Sequence, residues 1–315
     1  MGSLRRIDDY PALLDEAWAQ HLAPRAPNAP TVISTFAGCG GSSLGYSMAG
    51  FRELLAVEWE QNAADTFRLN FPHVPLYHGD IAKLSVEECL RLAGIKPGEL
   101  DVFDGSPPCQ GFSTAGKREI GDQRNQLFRE YCRLLEGLRP RAFVMENVSG
   151  MVKGDFKLVF AEILRTLKRC GYRVKARLLN AMFYGVPQSR ERMIFVGVRE
   201  DIGREPSHPN GWSEPVPLAR ICGDAVACRS QQINPWIMAD RAICTITKTP
   251  YKRMIRTRTG QERPPTLSEL CLFGSFPPSF AWPGKRDEAW ARIGNSVPPL
   301  LMRSIAAHVR GLIRP

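Results

Sequence analysis

The chain has 315 residues, 43% of them hydrophobic, and 42 Lys and Arg against 32 Asp and Glu, a formal charge of +10. This suits an ordinary globular protein with one large domain, or a large and a small one, and excludes a chain too polar to fold. No run of about 18 apolar residues occurs, which excludes a membrane-spanning helix. The first ten residues lack the apolar core of a signal peptide, so a cytoplasmic protein is expected. Residues 1–30 read as an extension with one helix over 7–21, ending in Pro24, Pro27 and Pro30. Periodicity then gives a buried strand over 31–37, a helix over 42–49, a strand over 54–57, a helix over 62–70 and a short strand near 74–77. A strand over 101–104, a helix over 126–137, a strand over 142–145, a helix over 155–169 and strands over 172–179 and 193–198 follow. Residues 200–262 carry little period and are rich in Pro, Gly, Trp and Arg, marking a small second domain or a long insertion. Helical character returns over 266–273 and 300–313. Strands alternating with helices predict an α/β fold with a doubly wound, mostly parallel sheet, and ligands bound beyond the carboxyl ends of its strands.

A basic surplus suits a polyanionic partner. Between 241 and 261, Arg241, Lys248, Lys252, Arg253, Arg256 and Arg258 stand with no Asp or Glu among them. A solvated helix face mixes its signs, so this stretch reads as a phosphate-facing surface. The nine cysteines show no Cys-x-x-Cys pair and no matching histidine spacing. Neither a metal site nor a disulfide framework is expected, and most are buried small hydrophobes.

The first strand runs into Phe36-Ala37-Gly38-Cys39-Gly40-Gly41. Glycines there allow a tight turn and close approach of backbone to ligand. Ser43 breaks the dinucleotide pattern Gly-x-Gly-x-x-Gly, and no Walker lysine follows. Glu58, followed by Trp59, ends the second strand where a carboxylate accepts from ribose hydroxyls. Asp80 and Ile81 follow the third strand, where a carboxylate holds an adenine amino group. Each acid alone is as readily a solvated residue at a strand end. With the glycine turn they imply an adenosine without pyrophosphate, a description that S-adenosylmethionine fits.

The fourth strand ends in Asp104-Gly105-Ser106-Pro107-Pro108-Cys109-Gln110, which presents a thiol rigidly at the ligand edge of the sheet. The fifth ends in Glu146-Asn147-Val148. These ends lie side by side in such a sheet, so Cys109 and Glu146 share one pocket. Gln188-Ser189-Arg190-Glu191-Arg192 precedes the last strand and offers two guanidiniums on the same face.

These blocks, with Gly294-Asn295-Ser296-Val297 near the C-terminus, stand in the order of the DNA cytosine-5 methyltransferase family of bacterial modification enzymes. The chain resembles that family from about residue 31 to 313. The resemblance implies a Rossmann-like methyltransferase fold, with 31–199 and 264–315 as catalytic domain, 200–263 as a small irregular target-recognition domain and 1–30 as an extension. It implies S-adenosylmethionine, with S-adenosylhomocysteine as product, held by Phe36, Gly38, Gly40, Gly41, Glu58, Trp59, Asp80, Ile81, Asp104, Pro108, Leu127, Asn295 and Ser296. Cys109 is then the thiolate that adds at carbon 6 of cytosine and makes carbon 5 nucleophilic, with arginines nearby favouring the thiolate. Glu146 contacts N3 and the exocyclic amine, a role for a carboxyl that takes up a proton. Arg192 holds the base carbonyl, with Arg190 supporting the loop.

A cytosine inside a duplex is unreachable, so the target is flipped out. Residues 110–122 resemble the loop that closes over DNA, with Gln110, Ser113, Lys117 and Arg118 on it. Gln232 stands near where some relatives fill the vacated base position, and Thr245 at a phosphate. Arg253, Arg256 and Arg258 meet phosphates or guanines. Ser268 and Leu272 stand where the family commonly has arginines, which removes the usual basis for DNA contacts there. The implied partner is double-stranded DNA, met by a monomer at the nucleoid of a bacterium or archaeon, beside a separately acting restriction endonuclease.

Two readings share this fold. A tRNA cytosine-5 methyltransferase carries Cys-Phe-Thr where this chain has only Cys244-Thr245. A catalytically silent DNA-binding regulator has no need of Cys109, Glu146 and Arg192 together. A third reading, an NAD-dependent oxidoreductase, fails on the missing glycine pattern.

Overall fold

The computed structural model describes residues 4–108, 123–152, 157–230, 233–249 and 253–314. Its first half runs α1 (Tyr10–Leu22), β1 (Thr31–Thr35), α2 (Gly41–Met48), β2 (Arg52–Glu58), α3 (Gln61–Asn70), β3 (Leu76–His78), α4 (Val86–Ala93), β4 (Val102–Gly105), α5 (Gln123–Leu138), β5 (Ala142–Val148) and α6 (Lys157–Arg169). Then come β6 (Tyr172–Asn180), β7 (Gln188–Ser189), β8 (Glu191–Arg199), β9 (Ala225–Ser230), β10 (Ile233–Met238), β11 (Ile243–Cys244), β12 (Arg253–Thr257) and β13 (Glu262–Arg263). The last helices are α7 (Leu267–Phe273), α8 (Arg286–Asn295) and α9 (Pro299–Ile313).

A seven-stranded sheet in the order β3-β2-β1-β4-β5-β8-β6 forms the centre. β1 to β5 are parallel, while β8 is antiparallel to both its neighbours. The strand order reverses between β1 and β4, the switch point at which doubly wound sheets leave a crevice. Successive side chains leave a strand on opposite faces. Val32, Val102, Val144 and Val196 accordingly join one core, shared with α1, α2 and α9, and Ile33, Phe103, Phe143 and Phe195 join the other, shared with α4 to α6. The expected fold class is therefore the observed one.

Three features depart from the sequence expectation. Helices α4 and α8 lie where no element was expected. Residues 200–262 are not irregular: β9, β10, β12 and β13 build a second, antiparallel sheet in the order β10-β9-β12-β13. The pattern was hidden because β12 turns Arg253, a charged residue, toward the core along with Ile255. This sheet has no core of its own, since Ala225, Cys228 and Ile255 join the cluster that covers the first face of the central sheet. The N-terminal helix is likewise packed into the molecule, where Tyr10 is 1% exposed and donates its hydroxyl to the Leu272 carbonyl at 3.0 Å. No helix among the described residues is long and apolar enough to cross a membrane.

Candidate active site

Two cavities of about 760 and about 810 Å³ open along the carboxyl edge of the sheet, and both are lined by Phe36, Glu58 and Pro108. The first is completed by Trp59, Asp80, Ile81 and Leu127. The second runs past Gly38, Gly41, Pro107 and Glu146 to Asn295 and Ser296. The turn between them is unusual in its backbone. Phe36 has φ 54°, a left-handed conformation that an aromatic residue seldom holds, and Gly38 and Gly40 follow at 59° and 95°.

Glu58 explains how this turn is held. Its Oε2 accepts from the Gly38 N–H at 2.7 Å, and its Oε1 from the N–H groups of Trp59 at 2.9 Å and Glu60 at 2.8 Å. An ionised carboxylate has about four acceptor sites, so about one remains for a hydroxyl in the cavity. Asp80 caps a short turn by accepting from the Ala82 N–H through Oδ1, and its other oxygen has no hydrogen-bond partner among the described residues. Trp59 is 74% exposed at the cavity rim.

Two expected cofactor contacts are corrected. Asp104 is 2% exposed, receives the Tyr46 hydroxyl at 3.3 Å and lines neither cavity. Burial, then the charge of Glu53, push its pKa well above the carboxylate range. Gly40 also lines neither cavity; it caps α2 in a left-handed conformation against the ring of Phe71.

The reacting edge follows from strand register. β8 runs antiparallel to β5 with Arg192 opposite Val148. Glu146 is two residues from Val148 and shares its face, so Arg192 and Glu146 are diagonal neighbours. Arg192 Nε lies 2.6 Å from Glu146 Oε1, with the two side chains 14% and 11% exposed. Asn147, whose role the sequence did not disclose, donates from Nδ2 to the Pro107 carbonyl at 3.1 Å. It ties the Pro-Pro segment to the strand that carries Glu146. Cys109 itself lies outside the described residues, as do Gln110, Ser113, Lys117, Arg118 and Gln232.

Arg190 lines neither cavity and is tied to backbone on both sides. At 2% exposure it donates from Nη1 to the Ile246 carbonyl at 3.1 Å and from Nη2 to the Ser296 carbonyl at 2.9 Å. Burial, then repulsion from Arg192, bring its pKa down to about 9 against the pull of Glu146. It thus joins the segment after β11 to the C-terminal block. That block sits tightly: a Cβ at Gly41 would strike the Val297 carbonyl, and one at Gly294 the Thr247 carbonyl.

Among the expected DNA contacts, Arg253 is corrected by its burial. At 3% exposure it donates from Nη2 to the carbonyls of Cys244 and Thr245, each at 2.8 Å, and from Nη1 to Cys244 Sγ at 3.1 Å. A guanidinium so placed cannot reach DNA. Thr245 donates its hydroxyl proton to the Ser189 carbonyl at 2.8 Å, so that proton does not face a phosphate. Arg258 is exposed, and Arg256 is half-buried against Glu262. Lys248, from the same basic stretch, lines the second cavity with Arg292 of α8, and neither was expected there. The basic run was the signal for Lys248; nothing local marked Arg292.

A family model for C-5 cytosine-specific DNA methylase matches residues 30–219 and 225–310. The type II methyltransferase M1.HphI of Haemophilus parahaemolyticus is 35% identical over 89% of this chain and 86% of its own length. The type II methyltransferase M.AquIA of a Picosynechococcus species is 37% identical, with 73% of this chain and 94% of that one covered. A Spodoptera frugiperda DNMT2 variant of known structure, 19% identical, has the same fold, with a TM-score of 0.71 over 91% of this chain and 100% of that one. With the family's model spanning both the cofactor edge and the Glu146–Arg192 edge, the chain belongs to the C-5 cytosine-specific DNA methylases and is a DNA (cytosine-5-)-methyltransferase.

Proposed function

We propose that this enzyme methylates a cytosine flipped out of double-stranded DNA at a short specific site, with Cys109 as nucleophile and S-adenosylmethionine as donor. The observation that carries the proposal is the Glu146–Arg192 ion pair, beside a cavity that Pro108, the residue before Cys109, shares with the Glu58–Asp80 cavity. The latter cavity's volume of about 760 Å³ is within the range of ligand pockets. Its aromatic Phe36 and Trp59, and the open acceptors on Glu58 and Asp80, match an adenosine. When bound, S-adenosylmethionine supplies a methyl group made electrophilic by its sulfonium.

The chain's own residues do the rest. The Cys109 thiolate forms a bond to carbon 6, and the electron pair displaced from the ring double bond makes carbon 5 nucleophilic. Glu146 meets N3 and the exocyclic amine, while Arg192 holds the base carbonyl and fixes the carboxyl of Glu146. After transfer, water or another base takes the proton from carbon 5, the sulfur–carbon bond breaks and Cys109 is released. We assign residues 31–199 and 264–315 to the catalytic unit and 200–263 to target recognition. The protein acts as a cytoplasmic, nucleoid-bound monomer, beside a separate endonuclease.

The test is to incubate the intact protein and Cys109→Ser with duplex DNA and labelled S-adenosylmethionine, and to map methylated cytosines by bisulfite sequencing. Label on one short sequence context with the intact protein, and none with the variant, is expected. Label on tRNA alone overturns the proposal in favour of an RNA substrate. Undiminished label with Cys109→Ser removes the nucleophile assignment.

A further inference from the structure

The outer face of the four-stranded sheet carries a charge cluster that the reaction beside Glu146 does not use. Cys228 and Ile255 point inward at 0% exposure, so alternation turns Arg229 and Arg256 outward. Both guanidiniums stack on Trp236 of β10, with Cζ 4.6 Å from the ring centre for Arg229 and 4.1 Å for Arg256. Glu262, opposite Arg256 in the β12–β13 register, binds both: Oε2 to Arg229 Nη2 at 2.9 Å and Oε1 to Arg256 Nη2 at 2.8 Å. The two arginine side chains are 38% and 41% exposed.

The cluster reaches the part of the sheet that is fastened to the active site through Arg229, with Arg256 three residues along β12 from Arg253. Arg229 neighbours Ser230, which pairs with Arg253. Arg253 holds the Cys244 and Thr245 carbonyls, and Cys244 pairs with Ser189 in β7. Arg190 follows Ser189 directly in the chain, and Arg192 stands two residues further on.

Ion pairs this exposed contribute little to stability. Their geometry is more informative. Stacking on one indole fixes the planes of two guanidiniums, so their forked donors are ordered before a ligand arrives. Glu262 gives each guanidinium one oxygen through Nη2, whereas guanine offers a single fork two acceptors, O6 and N7, in the major groove. Exchanging that one acceptor for the guanine pair costs little in exposed surroundings. The cytosine of the same base pair presents an amino donor, and a freed Glu262 is a suitable acceptor for it.

We propose that Arg256 and Glu262 read one G·C pair of the recognition site, Arg256 at the guanine and Glu262 at the cytosine amine, with Arg229 and Trp236 as positioning residues. This rests on the reading of residues 200–263 as the recognition unit and names the residues and the base pair. No covalent step is involved.

The experiment is single-turnover methylation by the full-length protein on a duplex pool randomised around the target cytosine, read by bisulfite sequencing, with binding measured against salt. The intact protein is expected to demand G·C at one position. Arg256→Ala and Arg256→Lys should both lose that demand by roughly ten- to a hundredfold, because lysine keeps the charge but not the fork. Glu262→Gln should relax the same position, and Trp236→Leu should relax it partly while leaving preference elsewhere intact. If Arg256→Lys keeps full discrimination while Arg256→Ala weakens every sequence alike and lowers the salt slope by about 1, the residue is a phosphate contact and the inference is overturned. Unchanged preference in both variants overturns it too. Failure of the intact protein to label any DNA is a separate result, and sinks the recognition reading beneath it.

Discussion

The two larger sheets of this protein hold charge in opposite ways. In the seven-stranded sheet the chemically useful groups stand at strand ends and are tied to fixed, mostly buried partners. Glu58 accepts from three backbone N–H groups, and Glu146 is held by Arg192 at 2.6 Å. In the four-stranded sheet Arg229, Arg256 and Glu262 stand on an open face and bind one another. Bond-making needs groups set to within tenths of an ångström, which buried partners enforce. Reading a sequence needs groups that trade one partner for another. Substitutions in the first sheet should therefore change rate, and those on the second sheet's face should change preference.

The sharpest way to break this division lies at the reacting edge. Cys109→Ser should lower methyl transfer by at least about 10³-fold, the scale on which losing a covalent nucleophile acts. Glu146→Gln should lower it by roughly 10²–10⁴-fold. Glu146→Gln should leave the methylated sequence unchanged in bisulfite maps, and both variants should leave the urea midpoint near that of the intact protein. A residual activity directed at a different sequence would show that the first sheet also chooses the target.

Next in size is a contrast between two arginines that look alike in the sequence. Arg253→Gln removes bonds to two carbonyls and leaves buried acceptors unpaired, which should cost about 1–3 kcal/mol in urea unfolding. Arg258→Ala, in the exposed turn after β12, should leave that midpoint within about 0.5 kcal/mol. It should instead reduce the salt slope of DNA binding by about 1 if Arg258 meets a phosphate. Gly294→Ala belongs with Arg253: its methyl group collides with the Thr247 backbone, an overpacking of about 1–3 kcal/mol. Equal urea midpoints for all three variants and the intact protein would erase the distinction between inward and outward charge.

The same contrast explains what was legible in the sequence. The central strands were, because long apolar runs such as Ala142–Met145 alternate between two cores and the chemistry falls at their ends. Helix α4 was marked by its caps, Ser85 and Gly94, and by an amphipathic spacing, but over a stretch of only eight residues. Helix α8 is short, contains a glycine and follows Pro283-Gly284, so its period was too brief to see. The four-stranded sheet was hidden for a different reason. Its inward positions include Arg253, whose partners are carbonyls that only the folded chain brings near. Asp104 failed similarly: a carboxylate at a strand end suggests a ligand, but which way it faces depends on Tyr46 and Glu53 across the sheet.

The smallest expected effect compares one acid from each sheet. Glu53, beneath α2, accepts from the Ser43 hydroxyl at 2.8 Å, and burial raises its pKa from 4.5 to about 7. Glu262, on the open face, is moved the other way by its hydrogen bond with Arg256 and by Arg229. For Glu53 the folded protein holds its proton more tightly than the unfolded chain does. Its contribution is therefore fully present below about pH 4.5 and is lost as pH rises toward and through about 7. For Glu262 the sign reverses: its contribution is present above the ordinary carboxylate range and is lost on acidification, and exposure keeps it small. Urea midpoints at pH 5 and pH 8 separate the two. Glu53→Gln should gain on the intact protein as pH rises between those values, because glutamine has no proton to lose in a buried site. Glu262→Gln should show no such gain. A Glu53→Gln difference that stays constant across the interval would mean that the acid beneath α2 is ionised at no cost, as freely as the one on the open face.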